Sequence, residues 1–407
     1  MKIFHIKDFG AEGDGKTVCT ENIQKAIDEC AKTGGTVLVE GGTFVTGTLF
    51  MRSNTELHIA ANAAVKASEN GDDFPDFDCP QWNVRAAPRS SARCLIYFGY
   101  IKNASITGLG TIDCSGSSYC SPVRDENGKI VKYQRNTLNL PARMVFIMGC
   151  KNIAIENVTM KEMAGGWGYW INNSEFVTVS KAKLVCNPKY PNADGIHINC
   201  SSDVLIEGCF IHSGDDSIII RANTNTLKEK RPCERVVVKG CTLSSNCQAV
   251  RIGWRNDGEI KNCTLSDLVI TNSMIGIVAE MPDHSSPTDI GENATVIKNI
   301  TVNNVVFDDI QYAPIRVIIH PENRVGEISN LRFSNVISES GDYPEVWGRE
   351  DAILNEIYFS DCKFTVCNTE GFSKSPRFFN YVKGLHLTNT TFDIGTKCIC
   401  HKEFGEN

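Results

Sequence analysis

The segments Asn192-Ala193-Asp194-Gly195-Ile196-His197-Ile198 and Ser213-Gly214-Asp215-Asp216-Ser217-Ile218-Ile219-Ile220 share one pattern: aspartate precedes a short apolar run. The repetition predicts two stacked strands of a repeating fold. Stacking would bring the carboxylates of Asp194, Asp215 and Asp216 within about one strand spacing, roughly 5 Å. Because crowded carboxylates take different protonation states, they can divide the work of acid and base between them.

A second, shorter phrase recurs along the chain and predicts the corners of the repeat. Alternating β-forming residues are followed by Asn, Gly or Asp, and then by Cys, Val or Thr. Asn, Gly and Asp tolerate the positive φ of a turn, and the residue after them would point inward. The copies are Ile153–Val158, Val204–Cys209, Val236–Cys241, Ile260–Cys263, Ile300–Val305, Leu331–Val336, Ile357–Cys362 and Leu385–Thr390.

Apolar residues at every second position line one face of a strand, so the alternation excludes a helical repeat. A recurring strand unit of this length is typical of a solenoid. We therefore predict an all-β chain, with residues 1–407 forming a single parallel β-helix whose coils stack about 4.8 Å apart.

Two segments depart from the alternation. Residues 1–50 are predicted to form an N-terminal cap region with one helix from Glu21 to Ala31, which covers the open end of the solenoid. Thr20 is the predicted N-cap of this helix, and Gly34-Gly35 ends it. Residues 115–141 are predicted to form a long loop over one face.

The chain contains 18 cysteines but no CxxC pair. Many of them follow a predicted corner, where they would point into the core, so we expect reduced, buried thiols. We predict no metal and no cofactor. The alternative metal cluster would combine His197 with Asp194 and Asp216.

The amino-acid composition argues against some classes of binding partner. The net charge is −7 without a basic block, which argues against nucleic acid, and no run of ~18 apolar residues predicts a membrane span. The amino terminus has no signal-peptide pattern, so we expect a cytoplasmic protein, or a secreted one if a signal was trimmed. The sequence leaves the oligomeric state open.

Aligning the apolar runs of successive coils predicts the strand wall that carries the site. The outward position of each strand follows from the period of two. The predicted outward residues are Phe146, Trp170, His197, Ile219, Arg251, Val278 and Arg316, followed two residues later by Asn172, Asn199, Arg221, Gly253, Glu280 and Ile318. Asp194, Asp216 and Gln248 lie just before the strands. Such a face is suited to gripping a polar ligand, although an ordinary solvated sheet face would look similar.

At these residues the chain resembles glycoside hydrolase family 28, the polygalacturonase family of right-handed parallel β-helices. The resemblance begins at Asp8–Gly15 and continues through Gly34–Val39 and Gly108–Asp113. Its more specific motifs are Asn192-Ala193-Asp194 and Gly214-Asp215-Asp216. The resemblance implies an inverting hydrolysis in which Asp215 is the general acid, while Asp194 and Asp216 hold and activate the water.

Two family signatures are altered, which makes the chain an atypical member. Gln248 stands where the family's Gly-His-Gly has histidine, and Val278-Ala279-Glu280 replaces the Arg-Ile-Lys that grips the galacturonate carboxylate. Losing cations and gaining an anion should repel a uronate. We therefore expect a substrate other than plain polygalacturonate, most simply one with a neutral sugar. The predicted substrate-binding residues are His197, Gln248, Arg251, Glu280, Arg316, Trp170 and Arg221.

The function expected from these observations is exo-acting hydrolysis of a short oligosaccharide or glycoside. Two alternatives stay open. A uronate lyase or epimerase of the β-helix class would need calcium or a basic residue as proton abstractor. A non-catalytic glycan-binding solenoid would account for the altered signatures but not for the intact aspartates.

Overall fold

Short strands separated by tight corners follow one another in a computed structural model of the protein, which describes residues 2–83, 92–137, 139–282, 290–367 and 380–395. In these ranges the strands in chain order are β1 Ile3–His5, β2 Asp14–Val18, β3 Gly35–Val39, β4 Gly42–Thr46, β5 Leu49–Phe50, β6 Thr55–Ile59, β7 Ala63–Ala67, β8 Cys94–Gly99, β9 Lys102–Thr107, β10 Thr111–Asp113, β11 Cys120–Arg124 and β12 Ile130–Arg135. They continue with β13 Arg143–Met148, β14 Lys151–Glu156, β15 Thr159–Lys161, β16 Trp167–Asn172, β17 Glu175–Ser180, β18 Lys183–Val185, β19 Ile196–Asn199, β20 Ser202–Glu207, β21 Phe210–Ser213, β22 Ile218–Arg221, β23 Cys233–Lys239 and β24 Thr242–Ser245. The last are β25 Gln248–Ile252, β26 Glu259–Ser273, β27 Ile275–Met281, β28 Thr295–Ile310, β29 Ile315–Ile319, β30 Val325–Ser340, β31 Glu345–Trp347, β32 Leu354–Val366, β33 Val382–Thr388 and β34 Thr391–Ile394.

Parallel pairing between coils arranges all of these strands except β11 and β12 in three walls. The front wall is a sheet of ten strands in the order β5, β8, β13, β16, β19, β22, β25, β27, β29, β31. A second stack begins β1, β3, β6, β9 and a third begins β2, β4, β7, β10, and both stacks enter the long strand β26, which bends around a corner. The predicted all-β parallel β-helix is confirmed.

Positive φ marks the predicted corners. In all eight copies of the phrase the Asn, Gly or Asp position has φ between 46° and 65°. The copy Ile260–Cys263 lies at a different corner from the other seven. Lys261 pairs with Glu234, and Asp267 instead occupies the corner beside Gly240. The local pattern is the same at both corners, which is why sequence alignment alone confused them.

Apolar inward positions form one continuous hydrophobic cluster from Phe4 to Phe364. The sixteen cysteines in the described part of the chain are free, and all but Cys247 are buried, as predicted. Cys398 and Cys400 lie outside the described residues. No helix in the described ranges is long and apolar enough to cross a membrane.

Helix α1 spans Thr20–Ala31 and buries Ile23, Ala26, Ile27 and Cys30 against β1, β3, β5 and β6. The predicted capping role of Thr20 is wrong. Cys19 occupies the N-cap without a side-chain hydrogen bond, and the Thr20 hydroxyl instead accepts a hydrogen bond from the backbone N–H of Gly47 at 2.7 Å. The hydroxyl therefore ties the helix to the neighbouring strand.

The prediction of a long loop at 115–141 missed regular structure. A short helix, α2, covers Gly116–Tyr119, and β11 and β12 form an antiparallel hairpin. Of the residues in the two hairpin strands only Cys120 is buried, so the sequence lacks the apolar alternation of the walls. Short 3-10 turns at Ile6–Phe9, Gly71–Asp73 and Thr224–Thr226 complete the described secondary structure.

Candidate active site

A cleft of about 350 Å³ opens on the outer face of the front wall. Its lining combines acidic, basic, aromatic and aliphatic side chains from several successive coils: Trp167, Asn192, Asp194, His197, Asp215, Asp216, Ile219, Arg221, Cys247, Gln248, Arg251, Trp254, Glu280, Pro282 and Arg316. The in-register pairing of β16, β19, β22, β25, β27 and β29 creates this surface. Nine of the ten predicted site residues line it, and Trp170 does not.

The three aspartates precede adjacent strands at the same edge of the front wall. Asp194 lies two residues before β19, and Asp215 and Asp216 lie in the turn between β21 and β22. Gly195 allows the two coils to approach closely, because a Cβ atom there would lie 2.2 Å from the carbonyl oxygen of Ser217. Being in a turn rather than a strand, Asp215 and Asp216 can both face the cleft.

Hydrogen bonds fix the turn that presents Asp215. The hydroxyls of Ser213 and Ser245 donate to its backbone carbonyl at 2.6 and 2.8 Å. The Nδ2 group of Asn192 approaches its Oδ2 at 3.4 Å. Burial, reinforced by the negative charges of Asp194 and Asp216, raises the pKa of Asp215 well above its usual value. Asp215 is therefore the member of the group suited to carry a proton.

Asp216 is held from two directions. Its Oδ2 accepts a 2.6 Å hydrogen bond from Nε of Arg251, and its Oδ1 accepts one at 3.1 Å from the backbone N–H of Gln248. Arg251 in turn donates from Nη2 to Oε1 of Gln248 at 2.5 Å and lies over the ring of Trp254. Burial opposes its charge, but the carboxylate of Asp216 raises the pKa of Arg251. Donors to both oxygens fix the orientation of the Asp216 carboxyl group.

Asp194 forms a buried pair with the neighbouring His197, whose Nε2 lies 2.9 Å from Oδ2 of Asp194. The imidazole also stacks on the ring of Trp167, with centroids 3.8 Å apart. This contact leaves the ring little freedom to turn. His197 thus orients Asp194, in addition to lining the cleft as predicted.

The far end of the cleft carries a charge network around Glu280. Nε2 of His320 lies 2.6 Å from Oε1 of Glu280, and Arg316 approaches its other oxygen at 3.4 Å. Arg316 also contacts Glu345 at 2.5 Å. Burial alone would raise the pKa of Glu280, but the His320 hydrogen bond and the charges of Arg316 and Arg251 lower it. Glu280 is therefore an ionised hydrogen-bond acceptor whose two oxygens already contact His320 and Arg316.

Arg221 lines the cleft, but its guanidinium is engaged by a buried acid. Its Nε and Nη2 donate to the two carboxylate oxygens of Asp257 at 3.0 and 2.8 Å. Asp257 is fully buried, and it also accepts a hydrogen bond from the backbone N–H of Ala222. This bidentate pair makes Arg221 a wall of the cleft rather than a mobile cation.

Trp170 was predicted to contact the ligand, but it does not line the cleft. It is buried, stacked on Phe146 at 4.7 Å and packed edge-on against Trp82. The guanidinium of Arg143 lies 4.2 Å from its ring centroid. The strand register is as predicted, but a loop through Trp82 covers this part of the front wall. A neighbouring tryptophan, Trp167, reaches the cleft instead.

Sequence reasoning assigned no role to Cys247 and gave Asn192 only as part of a motif. The sulfur of Cys247 and one oxygen each of Asp215 and Asp216 lie within 4.8 Å of one another. Among the residues that the structure describes, this is the group with the spacing of metal ligands, whereas His197, Asp194 and Asp216 do not assemble in that way. The sequence signal for Cys247 was its position beside Gln248, at the start of a strand of the front wall.

Comparisons with known proteins identify the family of the chain. The model of the family described as glycosyl hydrolases family 28 matches residues 51–368. An exo-poly-alpha-D-galacturonosidase of Dickeya chrysanthemi is 26% identical over 341 residues, 75% of this chain and 56% of that protein. A probable polygalacturonase of Vitis vinifera is 27% identical over 326 residues, 76% of this chain and 61% of that protein. The chain thus spans between half and two thirds of the length of these two relatives.

A solved structure shares the fold. The exopolygalacturonase of Thermotoga maritima aligns with a TM-score of 0.75 and 20% identity, covering 96% of this chain and 92% of that one. At this identity the likeness concerns the fold, whereas the family match covers most of the chain. The chain belongs to glycosyl hydrolases family 28.

Proposed function

We propose that this protein is an inverting glycoside hydrolase that releases a terminal unit from a short oligosaccharide or glycoside. The observation that carries the proposal is the division of labour among the three aspartates. Asp215 has a raised pKa beside two other carboxyl groups, and the two oxygens of Asp216 accept hydrogen bonds from Arg251 and from the backbone N–H of Gln248. Inverting hydrolysis requires one carboxyl that donates a proton and a second that activates the water.

In the proposed reaction the Asp215 carboxyl gives its proton to the glycosidic oxygen while the bond from that oxygen to the anomeric carbon breaks. A water held by Asp194 and Asp216 attacks the anomeric carbon from the opposite face, and its proton passes to one of these carboxylates. Following the released sugar by proton NMR tests the stereochemistry. Appearance of the inverted anomer first is expected, and first appearance of the retained anomer would contradict inversion.

Charge supports a neutral sugar at the Glu280 end of the cleft. Arg316 contacts Glu280 and Glu345, Arg221 is held by Asp257, and Arg251 is held by Asp216. Each of these arginines already faces a carboxylate, so a uronate placed there would be repelled by Glu280 and would compete with a protein carboxylate for each arginine. A hydroxyl, in contrast, can donate a hydrogen bond to Glu280. A plain polygalacturonate chain is therefore not the proposed substrate.

The volume of the cleft supports a short substrate, and the names of similar proteins support exo action. A cavity of about 350 Å³ lies at the small end of the ~300–1,000 Å³ typical of ligand pockets. The relative from Dickeya chrysanthemi and the structural neighbour from Thermotoga maritima are both named as exo-acting enzymes. The many free, buried thiols are typical of a reducing compartment, which supports our proposal that the substrate is cleaved in the cytoplasm.

A panel of aryl glycosides and oligosaccharides, neutral and acidic, tests the proposal with the Asp215→Asn variant as control. We expect hydrolysis of at least one neutral glycoside and a fall in kcat of roughly 10²–10⁴-fold on substitution, the usual contribution of a general acid. An unsaturated product that absorbs in the near ultraviolet would instead indicate a lyase. Binding across the panel without turnover would reject a hydrolase.

A further inference from the structure

Arg251 and Gln248 form a clamp on Asp216 that serves more than ligand binding. Nε of Arg251 and the backbone N–H of Gln248 each contact a different carboxylate oxygen. The Arg251 side chain is itself fixed, because its Nη2 donates to the Gln248 side chain and the guanidinium lies 4.3 Å from the centroid of Trp254. Arg251 and Asp216 are both at least nine-tenths buried. The position of the carboxylate is therefore set by two residues of one strand, β25, that lie three positions apart.

The surroundings of Asp216 make this clamp necessary. Asp215 and Cys247 lie within 4.8 Å of it, and the charge of Asp194 acts on the same cluster. Glu280 adds negative charge on the far side of Arg251. Two adjacent carboxylates repel each other, and burial penalises both. Arg251, 2.6 Å from Asp216, is the cation that offsets this repulsion.

We infer that Arg251 is a positioning residue that keeps Asp216 ionised and aimed at the water, with Gln248 holding Arg251 in place. This inference rests on the proposed hydrolysis for its kinetic consequence, but its electrostatic part stands without any substrate. Nη1 of Arg251 is buried and has no hydrogen-bond partner among the described residues, so it remains available to a ligand hydroxyl. Loss of that contact would raise KM, whereas loss of the clamp would change kcat and its dependence on pH.

The kinetic test compares Arg251→Gln and Arg251→Lys with the wild-type protein over a range of pH. In Arg251→Gln we expect a lower kcat and an acidic limb of the pH–rate profile moved up by about 1–3 pH units, the effect of an arginine on a neighbouring aspartate. In Arg251→Lys the acidic limb should return to its wild-type pH, because a positive charge is again present. Only part of kcat should return, because a lysine ammonium lacks the planar fork that reaches both Asp216 and Gln248. Arg235→Gln is the matched control, because Arg235 pairs with Asp203 at an exposed site.

A second variant and a second measurement keep the test independent of folding and of turnover. Gln248→Leu removes the side-chain acceptor but leaves the backbone N–H, so a smaller shift in the same direction is expected. Carbon-13 NMR titration of the Asp216 carboxyl, assigned by its loss in Asp216→Asn, should show the same upward shift in Arg251→Gln without substrate. An unshifted titration would overturn the inference even if hydrolysis is established. The inference would also be overturned if Arg251→Gln raised KM or lowered the melting temperature but kept the pH–rate profile of the wild type.

Discussion

At the scale of single residues, Asp215 is expected to cost the protein stability. Burial and the charges of Asp194 and Asp216 raise its pKa in the folded state, so the folded state binds this proton more tightly than the unfolded chain does. Below about pH 4 both states are protonated and the cost vanishes. As pH rises from there through the raised pKa, the folded state loses stability. Asp215→Asn should therefore melt at a higher temperature than wild type at neutral pH, with the difference disappearing in acid.

Thermal unfolding between pH 3 and pH 8 measures this difference in melting temperature. Asp203, whose pKa is lowered in the folded state, should show the opposite dependence on pH. A hydrogen bond from Arg235 lowers the pKa of Asp203, so its ionised form stabilises the folded state above the usual pKa. Asp203→Asn should lose stability at neutral pH and regain it relative to wild type in acid. A lower melting temperature for Asp215→Asn than for wild type at pH 7 would contradict the proposed environment.

Substitutions of two neighbouring tryptophans are expected to have different effects, one on stability and the other on substrate binding and turnover. Trp170 is buried under Arg143 and against Phe146, so Trp170→Ala should lower the free energy of unfolding by about 3–5 kcal/mol. Trp167 stacks on His197 at the cleft, so Trp167→Ala should mainly raise KM and lower kcat. Denaturant unfolding and steady-state kinetics on both variants distinguish the roles. Equal kinetic effects at equal stability loss would refute the assignment.

At the scale of secondary-structure elements, the β11–β12 hairpin supports Asn192 and, through it, the turn that carries Asp215. Nη2 of Arg135, the last residue of β12, donates to Oδ1 of Asn192 at 2.6 Å, and Asn192 approaches Asp215. Asn192 also has a positive φ of 49°, so its conformation depends on such contacts. Arg135→Leu should lower kcat about 10-fold, as a loss of roughly 1.4 kcal/mol in positioning does. Kinetics at saturating substrate measure this effect.

The matched control for this hairpin is Arg124→Leu. Arg124 lies at the end of β11 and donates to the carbonyl of Gly128 within the exposed hairpin tip, away from the aspartates. Its substitution should leave kcat unchanged. A similar loss of activity in both variants would mean that the hairpin acts through general stability rather than through Asn192.

The repeated strands could be predicted from the sequence, whereas the loops that cover parts of them could not. The outward column through Trp170, His197 and Arg251 was derived from the period of two and is confirmed by pairing. That column does not reveal which of its members a loop will cover, so Trp170 was assigned to the ligand. The partners of Glu280 were equally hidden, because His320 lies 40 residues away and meets it only through stacking of β27 and β29.

At the scale of the whole molecule, the site is a property of stacking rather than of any one coil. Residues from Trp167 to Arg316 meet in one cleft because six front-wall strands keep register. The charges on this surface therefore add up across coils. Glu280, Arg316 and Glu345 belong to three different strands, yet they form one network. Substrate selection by charge should depend on this sum.

Glu280→Lys changes the sum by two units at one position. The variant would place a cation where the wild type offers an anion, so preference should move toward a uronate. A pair of aryl glycosides, a galactoside and a galacturonide that differ only at C6, measures the change as a ratio of kcat/KM values. We expect the ratio of galacturonide to galactoside to rise about 10-fold or more, since a charge pair near a protein surface is worth a few kcal/mol. Glu327→Lys makes the same change in net charge at an exposed position on β30 and should leave the ratio unchanged. If Glu280→Lys also leaves the ratio unchanged while Tm stays near wild type, Glu280 does not face the sugar's C6 group, and the neutral-sugar proposal loses its main support.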